Sequence, residues 1–361
     1  VRIVLGVAAV VVIAVIVSSF ITLDEYAITP GDAQSVIPLI SVGSAAHHHR
    51  GSVLLTDVEL VPLRAIDYLF YRLNGDDSIV PSSSITGPLS AAQYDTEGVI
   101  DMLTARQAAT VVALRTLGYA TSARPNGVAD YAPTSPGAPA SSALAVGDVI
   151  ESVGGRPTLS VAQLSAALAA QVPGRRVRVT FHPLGATKHS AVTITLGTAR
   201  DDDGDEICTP AGESSALPVL RRQGRVVPCL GIVPDQLYAT VGAPFPISMN
   251  AEGIIGPSAG LAFTLGLVEK LDAADLTGGA KIAATGTMSI DGTVGDVGGV
   301  AQKTVAVRRA GATVFFVPTP ELAVARAHAG PHLRIFAVAT LAQAIADLKG
   351  LGGRVIRPSG R

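Results

Sequence analysis

The sequence predicts an α+β chain of several domains: an N-terminal transmembrane helix, a β-rich domain, and an α+β domain. Three observations predict it. Residues 3–23 are apolar and carry no charge. Between 118 and 199, short alternating stretches are separated by glycine and proline turns around one helical pattern. Beyond 243, strand-like and helix-like runs alternate, and a serine stands at the glycine-flanked turn between the first such pair. A length of 361 residues allows two or three domains, each with its own core. Tryptophan is absent and aromatics make up only 4%, so Ala, Val, Leu and Ile must fill those cores. A net charge of −2 gives no electrostatic reason to expect nucleic acid.

The run 3–23 would rise roughly 30 Å as a helix, enough to cross a bilayer. Arg2 precedes it and Asp24 and Glu25 follow. The expectation is a single-pass signal anchor (1–23) in the cell membrane, N-terminus cytoplasmic and the remainder extracytoplasmic. A cleaved signal peptide is the rival, but the run is longer than a usual signal core and no A-x-A site follows it. The even pair Cys208 and Cys229 in an exported chain suggests one disulfide, with two free thiols as the alternative.

Residues 24–117 are expected to form a strand/helix connector bracing the later domains. His47-His48-His49 lies in its loop-like start; adjacent residues point apart and no fourth ligand is placed, so no metal is expected. The stretch 51–60 alternates as a strand, with Pro62 ending or edging it. A short helix is expected over 64–73, a loop over 74–90, and a long helix over 91–117 that stops at Gly118. The stretch 127–131 reads as a strand. Residues 144–155 read as a turn, an alternating strand and a glycine-pair hairpin. A helix over 160–170 is capped by Ser160, and strands follow at 177–181 and 191–196. The acidic run Asp201–Glu206 fails the EF-hand order and reads as a solvated linker. Strands at 225–233 and 238–241 are expected to open the last domain (200–350), and 351–361 reads as a basic tail.

The pattern of Leu144, Gly147-Asp148, Ile150, Val153 and Gly155, followed by a helix, resembles a bacterial PDZ domain over 118–199. The resemblance implies binding of a protein or peptide as an added strand. The groove strand would be at Gly127, Val128 and Ala129, and the helix wall at Leu164 and Leu168. The carboxylate-binding loop is not legible.

Gly256-Pro257-Ser258-Ala259-Gly260 is a weak signal alone, since a serine among small residues is usually a tight turn. Downstream stand Thr285-Gly286 and then Gly298-Gly299-x-x-x-Lys303. In order, these motifs resemble the proteolytic domain of the Lon family, whose members use a serine–lysine dyad. The resemblance implies Ser258 as nucleophile, Lys303 as base, and Thr285 as the residue that orients the lysine. Gly256, Pro257, Ala259 and Gly260 would shape the turn and its oxyanion donors, and Ile247, Ser248, Met249 and Asn250 would pair with substrate. Typical members carry an acidic residue three positions before the serine; Ile255 stands there. Lysine can act as a base only when its pKa falls well below about 10.4, which an apolar pocket achieves. No histidine is placed by motif to do that work.

The chain has no Gly-Lys dipeptide and therefore no Walker A loop. The whole resembles membrane-anchored bacterial PDZ–Lon peptidases. That implies an ATP-independent, cofactor-free serine endopeptidase acting on unfolded or flexible proteins outside the cytoplasm, with homo-oligomers possible by analogy. The competing expectation is a non-catalytic anchored scaffold with a relic protease domain.

Overall fold

The computed structural model describes residues 2–135, 137–200, 208–210, 226–251 and 253–355. The linker expected at Asp201–Glu206 and most of the basic tail lie outside the described residues. By contact the chain divides into two units: 1–87, 108–120 and 243–361 in one, 88–107 and 121–242 in the other.

The chain begins with helix α1 (Arg2–Phe20), strand β1 (Thr22–Ser35), the short β2 (Ile40–Ser41) and strand β3 (Ser52–Arg64). Among the described residues no helix is long and apolar enough to cross a membrane. This overturns the transmembrane anchor over 3–23 and the single-pass membrane location built on it. The helix stops at Phe20 because Thr22 already belongs to β1, and 19 residues rise only about 28 Å. Ala65 and Ile66, just past β3, donate their N–H groups to Ile21 and Ser18, fastening the helix end to the sheet.

β1 runs through Pro30 and Gly31, where its register against β3 shifts. A Cβ at Gly31 would run into the Asp57 carboxylate, which would have to shift to admit any other residue at the bulge. Pro62 lies inside β3 opposite Tyr26 of β1, past the Ser52–Leu54 stretch that pairs with Lys281, Ile282 and Ala283. Helix α2 (Tyr68–Leu73), strand β4 (Ser78–Pro81), helix α3 (Ser83–Thr86) and the long α4 (Ala91–Thr116) follow.

The second unit holds β5 (Ser122–Pro133), β6 (Asp148–Val153), β7 (Arg156–Pro157), helix α5 (Val161–Ala169), β8 (Arg176–Pro183), β9 (Ser190–Thr195), β10 (Gly197–Arg200), β11 (Val226–Cys229) and β12 (Ile232–Val241). Its antiparallel sheet has the order β12-β5-β6-β8-β9. Val128, Ile150, Val153 and Val179 face Leu164 of α5 on one side. On the other, Ala129, Val149 and Leu237 meet Ile100 of α4. The Ser160 side chain accepts the Gln163 N–H and starts α5. Cys208 and Cys229 are joined by a disulfide. β11 and β12 belong to this unit; they do not open the proteolytic one.

The chain then re-enters the first unit with β13 (Ser248–Met249), helix α6 (Gly260–Leu271), β14 (Lys281–Ala284), β15 (Thr287–Met288), β16 (Val294–Gly295), helix α7 (Val300–Arg309), β17 (Val314–Pro318), α8 (Leu322–His328), β18 (Arg334–Val338) and α9 (Leu341–Gly350). The sheet order is β18-β17-β14-β3-β1-β4, with β14 parallel to both β17 and β3. The segment expected to act as a connector thus supplies half of this sheet. Leu54, Ala283, Phe315 and Val317 pack against Val300 and Val307 of α7. In α6 every residue except Lys270 is buried. Phe263, Leu265, Leu267 and Val268 are fully enclosed, each stabilising the fold by about 1.5–3 kcal/mol.

Candidate active site

Gly256 adopts φ 88°, a left-handed conformation natural to glycine, and turns the chain into a 3-10 turn at Pro257–Ala259. Ser258 stands half-buried on that turn, immediately before α6. Two bonds hold its backbone: its carbonyl accepts the Gly286 N–H at 2.9 Å and the Thr285 hydroxyl at 3.3 Å. Leu261 N–H returns the connection to the Gly286 carbonyl at 3.0 Å. A Cβ at Gly260 would lie 2.8 Å from the Met288 backbone nitrogen, so α6 starts in direct contact with β15. Thr285 is fully buried, and its hydroxyl hydrogen is committed to Ser258, leaving its lone pairs to accept.

Lys303 lies in the first turns of α7 and is only 4% exposed. Burial pushes its amine down from 10.5 to about 8, opposed by the negative charges of Asp57 and Glu321. The Thr56 hydroxyl reaches the Lys303 carbonyl at 3.5 Å, and a Cβ on Gly299 would press 2.7 Å from Val58. α7 therefore begins hard against β3, and the Ser258 turn packs on the same strand. No motif in the sequence links β3 to the site. Asp57, whose own pKa is raised chiefly by burial and whose carboxylate accepts the Asp32 N–H at 2.7 Å, carried no motif to reveal it.

The expected substrate strand is short. Ser248 and Met249 pair with Ser41 and Ile40, and Asn250 donates to Leu39 at 2.7 Å. Ile247 precedes the pairing. A cavity of about 620 Å³ in this unit is lined by Val112, Arg115, Asp291, Gly292, Leu341 and Ile345; neither Ser258 nor Lys303 borders it.

In the second unit, Gly127, Val128 and Ala129 do not form an open edge. They pair with Leu237, Gln236 and Asp235 of β12, and Val128 and Ala129 pair also with β6. Leu164 and Leu168 instead line a groove of about 370 Å³ whose far wall is Cys229, Leu230, Gly231 and Ile232. Gly231 has φ 83°, and a Cβ there would meet Ala138 at 2.5 Å. The signal for this wall was the Leu-Gly-Ile triplet after Cys229, hidden because it follows the helix by sixty residues of chain.

Among the described residues, two side-chain clusters present metal-ligating atoms: His49, Glu269 and Asp275, and Glu151, His182 and His189. In the first, Thr277 already donates its N–H and hydroxyl to Glu269, and its hydroxyl also lies 2.8 Å from Asp275.

Residues 250–336 match the Lon protease (S16) C-terminal proteolytic domain, and residues 134–182 match the PDZ domain. This chain pairs a Lon-type proteolytic domain with a PDZ domain. It is a serine peptidase of the Lon type in the PDZ–Lon arrangement, and its PDZ domain binds peptides or proteins. The Lon-type match spans the Ser258 turn, the Thr285 corner and Lys303. The PDZ match spans α5 and the β6 and β8 strands. No curated protein matches the chain. Among solved structures, the second domain of a listeria protein, determined in solution, is 22% identical, covering 22% of this chain and 77% of that one at a TM-score of 0.19.

Proposed function

We propose that the PDZ–Lon chain is an endopeptidase in which Ser258 is the nucleophile and Lys303 its base. The neutral Lys303 amine takes the Ser258 hydroxyl proton as the oxygen bonds to the substrate carbonyl carbon. The resulting ammonium returns that proton to the departing amine, and water then releases the acyl group by the reverse use of the same pair. Backbone N–H groups at the start of α6 receive the developing oxyanion; Pro257 has none to offer. Thr285, held to the Ser258 carbonyl, keeps lone pairs with which to accept from the lysine amine and orient it. A substrate strand would pair beside Ile247–Asn250, and the PDZ groove at Leu164 and Leu168 would select flexible chains. In this reading, cleavage proceeds without added nucleotide.

The observation that carries the reading is Lys303: a lysine 4% exposed, with its amine lowered to about 8, beside the strand that also bears the Ser258 turn. A solvent-facing structural lysine would show neither property. Incubation with casein, without nucleotide, tests it. Wild type should cleave, while Ser258→Ala and Lys303→Ala should lose activity by at least ~10³-fold with unchanged circular dichroism. Equal cleavage by wild type and Ser258→Ala would end the proposal.

A further inference from the structure

The PDZ sheet carries a second chemical constellation that peptide binding does not use. Ile150 and Val153 of β6 both lie in the core although three residues apart, which simple alternation along a strand forbids. An irregularity resolves the conflict: Ile150 pairs with Phe181 and Ser152 with Thr180, so Glu151 is the extra residue between them. Such a bulge re-aims a side chain. Here it sends Glu151 out on the face where Ser152 meets Thr180 at 2.7 Å. His182 lies on that face too, opposite Val149. Because Phe181 pairs with Ser190, His189 is the next position across from His182, at the end of the β8–β9 connection.

Two adjacent strands, β6 and β8, and the β8–β9 connection thus bring Glu151, His182 and His189 into one row. The Nδ1 atoms of His182 and His189 lie 3.3 and 2.7 Å from the same Glu151 Oε1. Their rings meet edge to face at 5.7 Å, and the three ligand atoms fall within 4.8 Å of one another. The side chains are 68% exposed at His189, 30% at Glu151 and 26% at His182, so solvent reaches the cluster directly.

We propose that Glu151, His182 and His189 bind a divalent transition-metal ion of the zinc type. Two imidazoles and one carboxylate are a donor set that zinc accepts, with water completing the shell. The two imidazoles disfavour magnesium and calcium, which prefer oxygen throughout. Binding replaces two Nδ1–H bonds that compete for one oxygen with three metal bonds, and the displaced ring hydrogens move to Nε2. The ion would pin the β8–β9 hairpin to β6. No sequence motif marks these donors, which come from β6, β8 and the β8–β9 connection.

The test uses the full chain stripped by a chelator and titrated with Zn²⁺ by calorimetry, then with Co²⁺ by visible absorption. One equivalent should bind, and cobalt should give the visible bands of a low-coordinate site. Glu151→Gln and His189→Ala should each weaken binding at least ~10-fold, and His182→Ala with His189→Ala should remove it. His49→Ala, in the other candidate cluster, should leave it unchanged. His189 is largely exposed, so its variant keeps the fold as a fair control. No uptake by wild type at micromolar free Zn²⁺, or equal affinity in Glu151→Gln and His189→Ala, overturns the proposal and leaves a hydrogen-bonded cluster only.

Discussion

Lys303 sits in the native state at about 8 against 10.5 when solvated, because burial penalises its charged form. Between those two values the unfolded chain holds more protons, so stability rises with pH across that window. Below about 8 the cost of the buried charge is present in full, on the order of 3 kcal/mol. Lys303→Met should therefore raise the urea midpoint at pH 7 while abolishing cleavage, and the gain should shrink toward pH 10. A destabilised variant at pH 7 would show that the ammonium is well paired. The catalytic profile has its own sign: kcat/KM should rise with pH through a limb near 8. Asp57 holds the lysine up, so Asp57→Asn should move that limb to lower pH; an unmoved limb would remove Asp57 from the electrostatics of the site. Of the proposed site, Ser258 and Lys303 are the residues that motifs single out in the sequence. Asp57 was not, since nothing in a strand sequence announces that a helix from the far end of the chain will start against it.

Elements position these residues through backbone contact. The start of α6 touches β15 so closely that a methyl group at Gly260 meets the Met288 nitrogen at 2.8 Å, and backbone there cannot step aside as a flexible side chain would. Gly260→Ala should cost about 1–3 kcal/mol of stability by overpacking and lower kcat more than it raises KM, because the Ser258 turn moves with the helix. Denaturant melts and steady-state kinetics read both; wild-type values in each would mean the helix start is free to shift. The helices α4, α5, α6 and α7 were readable from periodicity and caps. β1 was hidden by Pro30 and Gly31, residues that normally end a strand and here make its bulge. The strand-like run before the Ser258 turn shrinks to Ser248–Met249, because β2 offers only two residues to pair with. Leu164 and Leu168, picked out by their helix pattern, do line a groove, but its other side was not legible: β12 arrives from beyond the PDZ pattern and fills the edge of β5.

At the scale of the whole chain, linear domain borders mislead because one unit is assembled from three segments and the other interrupts it. β3 and β14 are distant in sequence yet pair in parallel, a long-range contact that no local pattern encodes. Each unit nonetheless encloses its own apolar core, and this separates their responses to a covalent change. The disulfide joins Cys208 and Cys229, 21 positions apart in sequence and both in the PDZ-bearing unit. Loop closure of that size stabilises by about 3 kcal/mol, mainly by restricting the unfolded chain. Cys229 also lines the groove with Leu164 and Leu168. Reduction, or the paired change Cys208→Ser with Cys229→Ser, should therefore lower the melting temperature of one calorimetric transition by several degrees and leave the other in place. Cleavage of a short peptide needing no PDZ groove should persist, while casein cleavage should fall through a higher KM. A single transition that shifts as a whole would mean that the two cores unfold together, and that the crosslink supports the proteolytic unit as much as its own.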